Sequence, residues 1–234
     1  SLGQRELPWI HLIREGALPC PEILEEPGSY QVGEEWEQVL ARSIENGHSS
    51  HWYGYYQYGV MLAYAERLKD AEAAFDKSIQ CAVNPWALRC KAVLREVAGD
   101  MEGAADLYIQ AVNMLPERSI VKEAFQILNK IGKSREVVRL YDNLPEDVRA
   151  FGRIKLLLIE GLLGAGDIER AEKMLNDNIE VADVREGETK LTDLWFRMTA
   201  MKQARQMGVE LDDALLEQVK KECKPPVHLD FRMR

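Results

Sequence analysis

Apolar and polar residues follow a helical period along most of the chain. Between Glu34 and Gly208, apolar residues recur every three to four positions, and the strict alternation typical of strands is nearly absent. Short turns that carry Gly or a charged pair interrupt this pattern at regular intervals. The pattern predicts a succession of short amphipathic helices, and therefore an all-α protein.

The predicted helices are organised in a repeat. In four segments a turn precedes a helix in which a small or branched residue stands four positions before a bulky one. The small positions are Ala71, Ala104, Val137 and Ala171, spaced 33, 33 and 34 residues apart, and the bulky ones are Phe75, Tyr108, Tyr141 and Leu175. A small residue lets two helices approach closely, and the bulky residue one turn later fills the space behind the crossing. Stacked helix pairs are therefore expected, because only several stacked copies bury a continuous core.

The repeat resembles a known family. The second copy carries the signature in full, with Gly99, Asp100, Ala104, Tyr108, Ala111 and Pro116. This spacing resembles the tetratricopeptide repeat (TPR) from roughly Ser50 to Ala182. The other copies depart from it, with Ser78 where a small Ala is usual, Val137 for Ala and Leu175 for the aromatic residue. The resemblance implies a right-handed α-solenoid of TPR-like helix-turn-helix repeats with helical caps.

The resemblance divides the chain into four regions. Residues 1–33 form an N-terminal extension, mostly irregular, with one short helix near Pro8 to Glu15. Residues 34–49 form the helix of a degenerate leading repeat, and residues 50–182 hold four TPR-like repeats. Residues 183–234 supply capping helices and an extended, strand-like tail. In that region Gly208 is expected to end one helix and Asp212 to cap the next.

A second resemblance concerns the context of the chain. Four segments resemble the C-terminal region of large bacterial proteins that carry a galactose-mutarotase-like β-sandwich ahead of TPRs. They are NPWALRCKAVL, LPEDVRAFGRIKLL, VADVREGETKLTDLWF and PPVHLDFRM. This resemblance implies a carbohydrate-related role, in which the chain packs on or completes a sugar-binding domain. The first residue is Ser1 and not Met, which indicates either a residue left by a tag or the cut edge of a longer protein. In the second case a missing N-terminal domain is a candidate partner.

Composition narrows the possible partners and the compartment. Lys and Arg number 30 against 39 Asp and Glu, a net charge of −9, which argues against nucleic acid and anionic lipid. The chain lacks a long uncharged apolar run and a signal peptide, so neither a membrane span nor secretion is predicted. Four cysteines without a CxxC motif suit a reducing cytoplasm, with a disulfide between Cys81 and Cys90 as the alternative. The expected location is cytoplasmic.

The motifs of catalysis and metal binding are missing from the sequence. It contains no GxSxG and no Gly-rich phosphate loop. The acidic pairs, such as Glu34 with Glu35, stand at turns or helix starts, where negative charge suits the helix dipole. His48 and His51 have no third ligand nearby, so we expect solvated histidines, one of which caps a helix at Ser49 or Ser50. The prediction is no enzyme, no cofactor and no metal.

Binding is the remaining function, and the repeat suggests where it takes place. In stacked helix pairs the first helix of each pair lines a concave groove. Aromatic and Arg side chains there favour binding of a peptide or partner domain by a non-enzymatic TPR-type scaffold. Two alternatives stay open: the tyrosines could pack between helices with only their hydroxyls wet, or residues 1–33 could fold back into the groove. The candidate binding residues are Tyr53, Tyr56, Gln57, Tyr64, Trp86, Arg89, Lys122, Gln126, Asn129 and Arg153.

Overall fold

A computed structural model describes residues 3–177 and 189–230, and in these ranges helices are the only regular secondary structure. The predicted all-α class is confirmed. The chain divides into two compact units, Ser1–Pro116 and Glu117–Arg234. The predicted end of the repeats at residue 182, and the last four residues, lie outside the described ranges.

The first unit contains six α-helices. A short 3-10 helix, Gln4–Glu6, leads into the first of them. Trp9 and Trp36 stack edge to face, with ring centroids 5.5 Å apart, and join the first two helices. The helices are α1 (Leu7–Glu15), α2 (Glu34–Glu45), α3 (Trp52–Tyr64), α4 (Leu68–Cys81), α5 (Pro85–Val97) and α6 (Met101–Met114).

The second unit contains seven described α-helices. The second helix of the third repeat is short and ends at Asp142, before Leu144 and Pro145. The helices are α7 (Arg118–Lys130), α8 (Ser134–Asp142), α9 (Glu146–Arg149), α10 (Gly152–Ala165), α11 (Ile168–Asn176), α12 (Lys190–Met207) and α13 (Asp213–Glu222).

The tight turns inside the helix pairs share one backbone conformation. Gly99, Gly132 and Gly166 have φ of 83°, 75° and 83°, and Glu66 holds the same place in the first turn with φ of 59°. A residue in the left-handed conformation ends a helix and lets the following amides bond its last carbonyls. Glycine adopts this conformation without a Cβ clash. The repeat spacing of 33 or 34 residues is therefore also the spacing of this turn residue.

The small repeat positions lie where helices cross. Ala71, Ala104, Val137 and Ala171 are fully buried. Gly59 makes the closest approach in the first pair, because a Cβ there would come within 2.5 Å of the Phe75 ring. The close crossings expected from the sequence are therefore present in these helix pairs.

Ion pairs join the second helix of a pair to the first helix of the next pair. In the first unit, Glu72 of α4 contacts Arg95 of α5 at 2.6 Å. In the second unit, Glu169 and Glu172 of α11 contact Arg205 and Lys202 of α12, both at 2.6 Å. Ion pairs at such accessible positions add little to stability because solvent screens them, so apolar burial dominates the packing.

In the C-terminal region two helix boundaries lie where they were predicted, whereas the tail has a different structure. Gly208 ends α12 with φ of 69°, and the Asp212 carboxylate accepts a hydrogen bond from the Leu215 amide at 2.8 Å. The prediction of a strand-like tail is wrong for Val227–Leu229, because these residues form a 3-10 helix. Thr192 Oγ1 donates to the Leu229 carbonyl at 2.5 Å and fixes this turn against α12. Pro225 and Pro226 provide no backbone N–H for strand pairing before it.

Candidate functional site

Three of the four aromatic residues predicted to line an open groove in the first unit are buried, namely Tyr53, Tyr56 and Trp86. Tyr53 is 1% exposed and Tyr56 2%, and Gln57 is completely covered. Together with His51, which directly precedes α3, and with Trp86 and Arg89 of α5, these residues form what we call the α3–α5 face. The expectation of an open groove at these three α3 positions is therefore wrong in this structure, while the role of these residues in binding stays a prediction.

Aromatic stacking organises the α3 part of this face. The Tyr53 and Tyr56 rings lie stacked, with centroids 6.3 Å apart, and the Tyr56 ring also contacts Phe75 of α4 at the same separation. Gln57 Nε2 donates to the Tyr53 hydroxyl at 2.8 Å. Burial raises the pKa of Tyr53 above 10 and that of Tyr56 well above it. Both phenols therefore act as neutral hydrogen-bonding groups.

The cover over the α3–α5 face comes from residues 16–33, which we call the strap. The strap joins α1 to α2 and contains neither helix nor strand. The Tyr30 hydroxyl shares a hydrogen bond of 2.9 Å with the Tyr56 hydroxyl, and the Tyr53 hydroxyl lies against the backbone of Gly28. Of the two alternatives that the sequence left open, the folding back of the N-terminal residues therefore describes the first unit.

Side chains of α1 and α5 bind carbonyl groups of the strap. Trp86 Nε1 donates to the Ile23 carbonyl at 3.0 Å, across 63 residues of sequence. Trp9 Nε1 donates in the same way to the Ser29 carbonyl at 2.8 Å. Both indole rings are buried, so each N–H needs a partner, and the strap carbonyls supply it.

A chain of hydrogen bonds fixes the start of the strap. The Leu18 amide donates to Ser49 Oγ at 2.9 Å, and the Ser43 hydroxyl donates to the Gly16 carbonyl at 2.5 Å. The two serine hydroxyls are 2.6 Å apart. Since Ser43 uses its proton on Gly16, Ser49 must donate to Ser43. The chain therefore runs in one direction, from the Leu18 amide to the Gly16 carbonyl.

His51 connects the strap to the start of α3. Its Nδ1 accepts from the Gly54 amide at 3.2 Å, and its Nε2 lies 2.9 Å from the Leu18 carbonyl. An accepting Nδ1 carries no proton, so Nε2 must carry the proton and donate it to Leu18. Burial lowers the pKa of His51 below its ordinary 6.5, consistent with a neutral ring. His51 is therefore the N-cap of α3, so one of the two histidines caps a helix as expected, although from position 51 and with a partly buried ring.

Two candidate residues of the first unit remain accessible beyond the strap. Tyr64, at the end of α3, is 69% exposed. Arg89 on α5 is partly exposed, and its charge acts on the Tyr30 hydroxyl. Val93, one helical turn beyond Arg89, is also exposed. Outside the strap, α3 therefore offers an exposed aromatic side chain, and α5 offers an exposed apolar side chain and a partly exposed cationic one.

The four candidate residues of the second unit lie on α7 and α10. Gln126 is exposed, and Lys122 and Arg153 are partly exposed. Asn129 instead has a structural contact, because its Nδ2 donates to the Leu157 carbonyl at 2.9 Å and links α7 to α10. The surface of α7 and α10 is thus polar, in contrast to the aromatic α3–α5 face.

Sequence reasoning missed Ser43, Ser49 and Trp9 as members of the site. Their roles depend on strap atoms 20 to 31 residues away along the chain. A local signal existed for the histidine alone, because His51 directly precedes the aromatic helix α3 in the run HSSHWY. A polar residue at that place is typical of a helix N-cap.

In residues 3–177 and 189–230, no group of three or more His, Cys, Asp or Glu side chains is placed to hold a metal ion. Cys81 and Cys90, considered for a disulfide, are free thiols, as are Cys20 and Cys223. No helix of the described part is both long and apolar enough to cross a bilayer.

The fold and the repeated turn define the chain as a TPR-like helical repeat protein. It is similar to a crystal structure of a tetratricopeptide repeat protein from Parabacteroides merdae ATCC 43184, with a TM-score of 0.51. The two sequences are 18% identical, and the match covers 83% of this chain and 75% of the other. At this identity the likeness concerns the fold alone.

Two other comparisons find nothing. No protein-family model matches the sequence, and no curated protein matches it. The resemblance to mutarotase-linked bacterial proteins has no support in these comparisons and stays a prediction.

Proposed function

We propose that the protein is a non-enzymatic scaffold that binds a peptide or partner domain on the first helices of its repeats. The observation that carries this proposal is the strap. The α3–α5 face binds a segment without secondary structure. The Trp86 and His51 side chains donate hydrogen bonds to main-chain carbonyls of this segment. Recognition of main-chain atoms is how a surface takes up an unstructured peptide with little dependence on its sequence.

The second unit supplies an open surface for the same task. Lys122 and Gln126 on α7 and Arg153 on α10 offer cationic and amide donors at accessible positions. Such donors suit peptide carbonyls and carboxylates, and Arg is common among residues that dominate binding energies. In our proposal a partner peptide contacts these three side chains directly.

The proposal can be tested by panning a display library of unstructured peptides against the chain of residues 1–234. We expect peptides whose affinity falls at least about tenfold in the variant Lys122→Ala/Arg153→Ala, with the helical circular dichroism unchanged. The matched control is Arg135→Ala/Lys173→Ala, which removes the same charge from exposed positions of the second helices α8 and α11. The proposal fails if no peptide is selected, or if both variants weaken binding equally.

A further inference from the structure

The strap is held by hydrogen bonds to its main chain more than by burial of its side chains. Its carbonyls at Gly16, Leu18 and Ile23 accept bonds from Ser43, His51 and Trp86, and its Leu18 amide donates to Ser49. These groups are common to every peptide. The site therefore recognises a backbone path and does not depend on most of the strap's side chains.

Few strap side chains reach the interior. In this fully described segment Leu18 and Pro27 are buried, whereas Leu24, Glu25, Glu26 and Tyr30 are exposed. The strap's own side chains therefore bury little apolar area, and Tyr53, Tyr56 and Trp86 supply the apolar area that docking covers. Segments with few buried apolar contacts open locally, at a free energy well below that of global unfolding.

The prolines of the strap favour docking through main-chain hydrogen bonds. Pro19, Pro21 and Pro27 have fixed φ angles, so the segment loses less conformational entropy on docking. Prolines lack the N–H group, and the contacts from Trp86 and His51 use carbonyl acceptors. The acceptor-rich backbone of a proline-containing segment therefore matches the donors of the α3–α5 face.

We propose that the α3–α5 face is a binding site for a non-helical, proline-containing segment of a partner protein. The strap fills this site in the free chain, and the partner segment displaces it. This inference rests on the proposed scaffold function and names the partner class. The partner resembles the strap in chemistry: an aliphatic residue takes the place of Leu18, a proline that of Pro27, and a tyrosine hydroxyl reaches Tyr56.

The test supplies the strap as a separate molecule. The probe is a fluorescein-labelled peptide of residues 16–33 carrying Cys20→Ser, and the receiver is the full-length chain with Leu18→Ser and Tyr30→Phe. These changes weaken the strap and leave Ser49, His51, Tyr56 and Trp86 unaltered. We expect the probe to bind the weakened chain at least about tenfold more tightly than the wild-type chain, in which the strap competes for the site.

Two controls locate the binding. A probe that itself carries Leu18→Ser and Tyr30→Phe should bind the weakened chain at least about tenfold more weakly than the first probe. Adding Trp86→Phe to the receiver keeps an aromatic ring and removes the N–H donor, and should weaken binding severalfold. Equal binding of both probes to a folded receiver would overturn the proposal, as would equal binding of the first probe to both chains.

A second measurement uses the wild-type chain without any probe. Hydrogen exchange of the Leu18 amide should be much faster than that of amides within α3 and α5, because the strap opens locally. If the Leu18 amide exchanges as slowly as those helix amides, the strap is an integral part of the core and the proposal is wrong. Strap exchange between two copies, seen as a dimer without probe binding, would also overturn it. The exchange and dimerisation results do not depend on the panning experiment. The scaffold proposal and the proposal for the α3–α5 face can therefore fail separately.

Discussion

At the scale of the residue, Glu66 stands out because it holds a conformation that the other turns give to glycine. Its φ of 59° corresponds to 83° at Gly99, one repeat later. The left-handed region costs an ordinary residue about 1–2 kcal/mol. Glycine avoids this cost but loses about 0.5–1 kcal/mol of chain entropy on folding. The steric term is the larger, so the first turn is the less favourable one.

We therefore expect Glu66→Gly to stabilise the protein, by about 0.5–1 kcal/mol in the free energy of unfolding. Urea denaturation followed by circular dichroism measures the change. Gly99→Ala is the matched variant in the next repeat and should lower the same free energy by about 1 kcal/mol. An unchanged or lower stability of Glu66→Gly would contradict this account of the turn.

At the scale of the element, α3 depends on a titratable cap. The neutral His51 ring accepts from the Gly54 amide and donates to the Leu18 carbonyl, so one ring starts the helix and binds the strap. A proton on Nδ1 would abolish the acceptor. The folded state therefore resists protonation, and burial lowers the pKa of His51 accordingly.

This linkage has a definite sign. Well above pH 6.5 the ring is neutral in both folded and unfolded chains, and the cap contributes its full stability. As the pH falls from 6.5 through the lower pKa of the folded state, the unfolded chain takes up a proton first and stability is lost. Urea unfolding at pH 7.5 and 5.5 should show this loss in the wild type and less of it in His51→Asn, which caps without titrating. His48→Asn, at an exposed position, should keep the full loss, and the same loss in His51→Asn would contradict the prediction.

At the scale of the whole molecule, the chain consists of two units that each have a buried core. In the first unit this core includes Leu40, Phe75 and Tyr108, and in the second Phe125 and Leu158. Repeat proteins derive their stability from contacts within and between neighbouring repeats, so a piece that contains complete helix pairs can fold by itself.

We expect a fragment of residues 1–116 to keep the helical circular dichroism of its part of the chain and to melt cooperatively. A fragment of residues 1–97 lacks α6 and exposes the surface of α5 that packs against it. It should lose the cooperative transition. A fragment 1–116 that is unfolded at room temperature would show that the first unit depends on the rest of the chain.

Much of the fold could be predicted from local patterns. The spacing of Ala71, Ala104, Val137 and Ala171 predicted helix pairs, and all four are buried. The site was less predictable, because burial of a helix face depends on what lies against it. Tyr53 and Tyr64 lie on the same helix, yet the strap covers the first and leaves the second open. Nothing in their local sequence separates them.

The sequence by itself determined the helices, their turns and the stacking of small residues, because these depend on interactions within about one repeat length. The tertiary structure alone decided which part of the first-helix surface is free. Contacts such as Trp86 to Ile23 join residues 63 positions apart, and no local periodicity encodes them. Proline-containing segments of this kind have no periodic pattern, so their location follows only from the donors that the folded helices present to them.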